Sequence, residues 1–395
     1  MKRIFDGRYG GTTAGKEELR AIVKSVTQSI KTGNWQTGKE ASLMEKEAAK
    51  QLGVKYAVLT TSGSCAALLA LAALELPKDS EVIIPAVTFP TVFNSILQCN
   101  LVPVVVDCDV GTYNLNPDRL EEAISEKTKA IIAVHAVGNP CDMEKIMRVA
   151  KKHKLYVVED NCDGWGSSIQ GKKVGSFGDV SITSFHAAHI VSMGVGGGVF
   201  TNNKELASRV RVYRDWGRQA NTEEKTNGTK WKNLPEDYDS RFIYEKIGYN
   251  FQILELQAAM GRVQLKKANK IKKARQRNAN ELIFRLEHYP FIMPKIVESA
   301  DVCWFSLPLT CKTSGTRAKL VPFLEKHGIE TRSLFGGNII RHPAYSKAGY
   351  RIGNELKGAD VILRESFWIT VNPRLKIKDL DYIVSVFKKF YAQPR

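Results

Sequence analysis

The sequence contains no CxxC pair and no even set of cysteines. Cys65, Cys99, Cys108, Cys141, Cys162, Cys303 and Cys311 are seven in number and scattered. Such spacing argues against a disulfide framework or a zinc knuckle and fits small buried thiols in a reducing, cytoplasmic setting. Long apolar runs are also missing: none approaches a membrane span, and Met1-Lys2-Arg3-Ile4-Phe5-Asp6-Gly7 lacks the apolar core of a secretion signal. No membrane partner is expected. Acidic residues are in deficit, 41 against 58 Lys and Arg, giving a net charge of +17. A polyanion would reward that imbalance only if the charges clustered. The densest run, Lys266, Lys267, Lys270, Lys272, Lys273, Arg275 and Arg277, lies on a helical pattern and reads as a solvated face. Nucleic acid is therefore not an expected partner; the charge suits collection of a small anionic substrate. Low-complexity tracts and internal repeats are absent as well.

What is present is an ordinary globular composition, 43% apolar and 25% charged, over 395 residues. That length exceeds one core, so a large domain with a smaller one is expected. Helices are expected over 16–31, ending at Gly33, and over 42–52, ending at Gly53. A strand over 56–60, the turn Thr61-Ser62-Gly63-Ser64 and an Ala/Leu-rich helix over 65–76 make a joint with free amides and a positive dipole end, suited to phosphate or to plain capping. Further strands are expected over 82–84, 102–106, 130–134, 156–158, 180–183 and 198–201, with helices over 117–124, capped by Asn116, and over 143–153. Alternation of this kind indicates a mostly parallel sheet covered on both faces, with ligands at the carboxyl ends of its strands. Residues 219–239 read as a polar surface loop and 254–289 as one long helix. Shorter elements follow at 304–309, 318–327, 369–371 and 380–391. We place the large domain at 1–285 and the small one at 286–395.

The stretch Ser184-Phe185-His186-Ala187-Ala188-His189, followed by Gly194, Gly196, Gly197 and Gly198, sits directly after an apolar strand pattern. Taken alone, a histidine in such a turn reads as readily as a satisfied structural residue. The set of motifs says more. Thr61-Ser62-Gly63-Ser64, Val157-Val158-Glu159-Asp160, the Ser184-Phe185-His186 stretch and Gly248-Tyr249-Asn250 together resemble the sugar aminotransferase (DegT/StrS) family of pyridoxal-phosphate enzymes, which act on nucleotide-linked keto sugars. The likeness runs from about Gly33 to about Leu380. It implies an α/β fold of the aspartate-aminotransferase type (fold type I), with a mostly parallel central sheet, helices on both faces and a smaller C-terminal α+β domain.

The resemblance also implies roles. Gly63, Ser64 and Ser184 match the donors to the cofactor phosphate. Asp160 matches the carboxylate that keeps the pyridine nitrogen protonated, and Phe89 the aromatic residue over the ring face. Asp163 lies where the family has a residue near the ring hydroxyl. Asn250 resembles a phosphate contact supplied by the neighbouring subunit, which implies a homodimer with shared active sites.

One departure is informative. Where most of the family has the Schiff-base lysine, this chain has His189, and no lysine occurs between Lys173 and Lys204. An imidazole cannot hold an imine but can exchange protons near neutral pH. The exchange resembles the 3-dehydratases of nucleotide-linked 4-keto-6-deoxyhexoses, as does Gly138-Asn139-Pro140. It implies pyridoxamine 5'-phosphate (with its pyridoxal form), a CDP- or GDP-linked substrate and an amino donor such as glutamate. The other readings are an ordinary nucleotide-sugar aminotransferase and a catalytically retired nucleotide-sugar-binding homologue. Some members of that branch carry an iron–sulfur cluster. Cys303 and Cys311 keep a C-x7-C spacing, and 331–335 and 338–343 resemble those members, but position 301 is Asp301 and no cysteine falls between Cys162 and Cys303. Four thiolates are the usual ligand set, so neither a cluster nor another metal is expected. Arg332, Arg341 and His342 are candidates for the diphosphate or sugar, with surface ion-pairing the competing reading. Val195 replaces the family's usual glutamate.

Overall fold

The computed structural model describes residues 13–219, 231–235 and 238–392. Its strands are β1 (Tyr56–Thr60), β2 (Glu81–Pro85), β3 (Val102–Val106), β4 (Thr128–Val134), β5 (Tyr156–Asp160), β6 (Ser168–Ile169), β7 (Lys172–Lys173), β8 (Val180–Ser184), β9 (Gly197–Thr201), β10 (Phe291–Ile292), β11 (Ala300–Asp301), β12 (Leu307–Cys311), β13 (Thr331–Arg332), β14 (Arg351–Ile352) and β15 (Ser366–Ile369). The α-helices are α1 (Lys16–Thr32), α2 (Lys39–Leu52), α3 (Gly63–Leu74), α4 (Pro90–Gln98), α5 (Met143–His153), α6 (Lys204–Arg214), α7 (Glu255–Leu286), α8 (Thr316–Lys326), α9 (Lys357–Glu365) and α10 (Ile377–Tyr391).

The main sheet has eight strands in the order β1-β9-β8-β5-β4-β2-β3-β14. Neighbours from β14 to β8 are parallel, and β9 runs antiparallel to both β8 and β1. Runs such as Glu81-Val82-Ile83-Ile84-Pro85 are buried throughout, as strands covered on both faces must be. Helix α3 is apolar nearly all round and is buried against the sheet, whereas α5 buries only Met143, Ile146 and Ala150, one stripe at helical spacing. The carboxyl ends of β1, β2, β4, β5 and β8 therefore open on one edge, which sets the place of the site.

After α7 the chain forms a second, antiparallel sheet, β10-β12-β15-β13, with its own core around Phe291, Leu309, Leu320, Phe367 and Phe387. Two short strands cross back: β14 extends the main sheet beside β3, and β11 pairs with β6. Helix α2 begins at Gly38 without a capping side chain of its own. Glu255 of α7 serves instead, accepting the amides of Gly38 (2.8 Å), Glu40 (2.8 Å) and Ala41 (3.0 Å) at the positive end of α2.

Two expectations change. Residues 117–124 form two 3-10 turns, Pro117–Arg119 and Glu121–Ala123, rather than an α-helix. Eight residues are too few to offset α-helix nucleation, and the tighter turns suffice to bury Leu120 and Ala123. The basic run on α7 is a solvated face only in part: Lys266, Lys270, Lys273 and Arg277 are exposed at helical spacing, and the other three are not. Lys272 is 8% and Arg275 2% exposed, and Lys267 is paired with Glu17 and Glu18. The cause is that α1, α2 and α10 pack against the other sides of α7. The loop expected at 219–239 falls largely outside the described residues. Among the described residues no helix is long and apolar enough to cross a membrane.

Candidate active site

Helix α3 starts at Gly63, with the hydroxyl of Ser62 accepting the amide of Cys65 (3.1 Å). The amides of Gly63 and Ser64 have no intrachain acceptor among the described residues, so two donors remain at a dipole's positive end. A Cβ on Gly63 would lie 2.7 Å from Ser184 Cβ, which is why this helix start and the end of β8 can touch. Ser184 Oγ accepts the His186 amide (3.3 Å), and its O–H remains able to donate. Ser64 Oγ shares a hydrogen bond of 2.8 Å with Thr91 Oγ1 in the first turn of α4. Phe89, the residue just before α4, presents a ring 56% exposed.

At the end of β5 the pleat sends Glu159 and Asp160 to opposite faces. Glu159 is fully buried and satisfied by the amides of Gly175, Phe177 and Gly178 and by His135 Nε2 (3.1 Å). His135 Nδ1 accepts the Cys141 amide (3.1 Å), so its proton sits on Nε2 and points at Glu159. That pair is structural. Asp160 is different: the Cys162 amide (3.0 Å) and thiol reach it, and burial raises its carboxyl above the ordinary range. A buried carboxylate so placed is suited to a cationic N–H partner.

Between β8 and β9 the chain folds back on itself. Phe185 N donates to Gly196 O (2.8 Å), Met193 N to Phe185 O (2.8 Å), and Ala187 N to Gly194 O (2.9 Å). Phe185, Ile190, Val191 and Met193 anchor this loop in the core. The two histidines are left outside that anchor. The Ala188 amide donates to His186 Nδ1 (3.3 Å), and burial, then the neighbouring His189, lowers the basicity of the His186 ring. The His189 side chain is 16% exposed, and its Nδ1 stands 3.3 Å from Asp163 Oδ1, without the alignment of a hydrogen bond. Asp163 Oδ2 is buried and has no hydrogen-bond partner among the described residues. The ring of Phe305 lies against His189, centroids 5.4 Å apart.

These residues fit a pyridoxal-type cofactor: amide and hydroxyl donors for a phosphate, a buried carboxylate for a ring nitrogen, an exposed aromatic face, and an orphaned carboxylate oxygen beside an imidazole. The chain matches the family described as DegT/DnrJ/EryC1/StrS aminotransferases over residues 16–388. It belongs to that family. A DegT-family relative from Saccharopolyspora spinosa, dTDP-4-dehydro-2,6-dideoxy-D-glucose 3-dehydratase, is 40% identical over 90% of this chain and 81% of its own. The lipopolysaccharide biosynthesis protein RfbH of Salmonella typhimurium is 38% identical over 97% of this chain and 91% of its own. A crystal structure of GDP-4-keto-6-deoxymannose-3-dehydratase with a trapped PLP-glutamate geminal diamine superposes with a TM-score of 0.88 at 28% identity, covering 96% of this chain and 99% of that one. The fold of this DegT-family chain is accordingly aspartate-aminotransferase-like.

Asn250 is exposed and bridges Asp215, and its neighbour Phe251 accepts the Thr61 amide (3.0 Å) beside the phosphate turn of the same chain. Arg332 pairs with Glu330, Arg341 binds Asp360 through two nitrogens (3.1 and 2.7 Å), and His342 Nε2 is 2.6 Å from Gly336 O. Their loop reaches the main sheet where Ile339 N donates to Ala86 O (2.9 Å), three residues before Phe89. Cys303 and Cys311 lie in different cores, and burial pushes their thiols up to about 11 and about 12. Val195 is half exposed, with its carbonyl accepting Gln257 Nε2 (2.7 Å); nothing in the structure explains the side chain. Thr91, Phe305 and Arg275 were not legible as site residues. Thr91 carried a signal, a hydroxyl two residues after Phe89; the other two did not.

Proposed function

We propose that this enzyme removes the C3 oxygen of a nucleotide-linked 4-keto-6-deoxyhexose, using pyridoxamine 5'-phosphate, with His189 as the acid and base. The cofactor, when bound, supplies an amine that condenses with the C4 ketone and a protonated ring that stores an electron pair. The chain's residues do the rest. Gly63, Ser64 and Ser184 bind the phosphate, Asp160 holds the ring proton in place, and Phe89 covers one face. His189, oriented by Asp163 at Nδ1, takes a proton through Nε2 and returns one to the departing C3 hydroxyl, which leaves as water. Glutamate regenerates the aminated cofactor, and the relative bearing a PLP-glutamate adduct supports that donor.

The observation that carries this reading is an imidazole, not a lysine, in the pocket facing Asp163. Without a lysine amine nothing nearby exchanges with the cofactor to release an aminated sugar, so proton exchange ends in loss of the hydroxyl, and water then frees the C4 nitrogen as ammonia and restores the ketone. The proposed nucleotide is CDP or GDP, of which the GDP-sugar dehydratase among the structural neighbours supports GDP. To test it, the protein is incubated with pyridoxamine phosphate, glutamate and CDP-, GDP- or dTDP-linked 4-keto-6-deoxyhexose, and the sugar is weighed by mass spectrometry. Loss of the C3 oxygen is expected with CDP or GDP; an aminated sugar, or no change with any nucleotide, would sink the proposal.

A further inference from the structure

We propose that Arg275, buried on α7, is a positioning residue for His189 and acts through the ring of Phe305; the inference rests on the acid–base role given to His189 above. Arg275 is 2% exposed, the bulkiest fully buried side chain, and no carboxylate pairs with it among the described residues. Its electrostatic partners are the Cys303 thiol and the Asp163 carboxylate. Nη1 donates to Phe305 O (2.6 Å) and Trp304 O (3.3 Å), while Nε has no acceptor among the described residues. Burying a guanidinium with so few partners is unfavourable, and an apolar side chain would fill the same space more cheaply. What the guanidinium adds is a grip on two consecutive carbonyls of the segment that carries Phe305.

The other side of that segment is gripped by the Gly138-Asn139-Pro140 loop. Phe305 N donates to Val137 O (2.9 Å), Cys303 N to Ser167 Oγ (2.7 Å), and Ser167 Oγ to Gly138 O (2.8 Å). Gly138 has φ +90°, and a Cβ there would come within 2.3 Å of Cys303 O, so the loop can approach only as glycine. The motif named from the sequence thus has a place: it clamps residues 303–305. With Arg275 5.9 Å from its centroid and Trp368 at its edge (6.1 Å, 77°), the Phe305 ring is fixed, and it lies 5.4 Å from the His189 ring at 42°. Asp163 Oδ1 then stands 3.3 Å from Nδ1, and the fixed Phe305 ring lies against the imidazole and opposes its turning over. The imidazole is held in one tautomer, with Nε2 as the free base.

The test uses full-length protein labelled with 15N-histidine, with His189 assigned by the signals lost in His189→Asn. Wild type should show His189 protonated on Nδ1 alone when neutral. Phe305→Leu and Arg275→Met should each give a mixed tautomer and lower kcat about tenfold or more with KM little changed, as expected for lost orientation. Arg275→Lys, which keeps one donor and the charge, should recover roughly half of the loss. A single tautomer together with kcat near wild type in both Phe305→Leu and Arg275→Met overturns the inference. If Arg275→Met does not fold, Phe305→Leu decides, since it keeps an apolar side chain of similar size. If wild type deoxygenates no sugar, the reaction proposed above fails, and the tautomer measurement alone decides this one.

Discussion

A histidine that must exchange protons needs one nitrogen oriented and the other open, and His189 has the Asp163 carboxylate 3.3 Å from Nδ1. His135 in the same chain has the opposite arrangement, with both nitrogens engaged. Replacing His189 by Asn should lower dehydration by at least about a thousandfold, at the upper range for one acid–base group, while cofactor binding persists. Turnover and equilibrium dialysis of pyridoxamine phosphate check the two halves. Gly63→Ala should act on binding instead. Its Cβ would push Ser184 away from the α3 amides, costing about 1–3 kcal/mol of stability and weakening cofactor affinity. Urea midpoints and a fluorescence titration with the cofactor would show it; unchanged values would mean the helix start does not bind phosphate. At this scale His189 was legible because a lysine was missing where one belonged. Arg275 was not, since a cation on a long helix looks solvated until one knows how many neighbours the helix has.

Elements meet through ion pairs whose strength depends on pH. Glu81 at the start of β2 receives Arg351 of β14 through two nitrogens (both 2.7 Å), with Ser125 and Thr128 hydroxyls alongside. Arg351 first of all holds the Glu81 carboxyl down at about 2, against an ordinary 4.5, and burial partly opposes this. A depressed carboxyl stabilises the fold above its unfolded value and loses that contribution as pH falls through its folded value. The contribution should be about 2 kcal/mol at neutral pH, less than the full shift implies because Arg351 is partly in water, and it should vanish between pH 4.5 and about 2. Denaturant unfolding of wild type and Glu81→Gln across that range should show the two curves converging; a constant gap would contradict the assignment. Elements were the scale best read from sequence: β1 to β5 and β8 follow apolar runs that only a doubly covered sheet would bury. The turns at 117–123 escaped because a short capped segment carries the signals of a longer helix.

For the whole molecule, we propose a division between two units at 285/286, near the end of α7, and a homodimer whose active sites use Asn250 of the neighbouring subunit. Two inactive variants, His189→Asn and Asn250→Ala, should then complement when mixed and allowed to exchange subunits, restoring up to about a quarter of the activity, since only shared sites can combine intact halves. No recovery, with dimers present by sedimentation, would place Asn250 in its own chain's site. The homodimer is an expectation of the family resemblance alone, and the crossing strands β11 and β14 could not be read from sequence, because a two-residue strand has no periodicity.

Strand β14 has a consequence for the order in which the protein is made. It seals the open edge of β3, and Asn354 and Asp107 tie the same region to α9 through the Asp107, Gly358 and Ala359 amides. A chain emerging from the ribosome therefore carries β1 to β9 long before the strand that closes their sheet. Until residue 352 is released, β3 offers unpaired backbone groups to any passing strand, so this enzyme's nascent chain has an aggregation-sensitive window that lasts from the release of β3 to the release of β14.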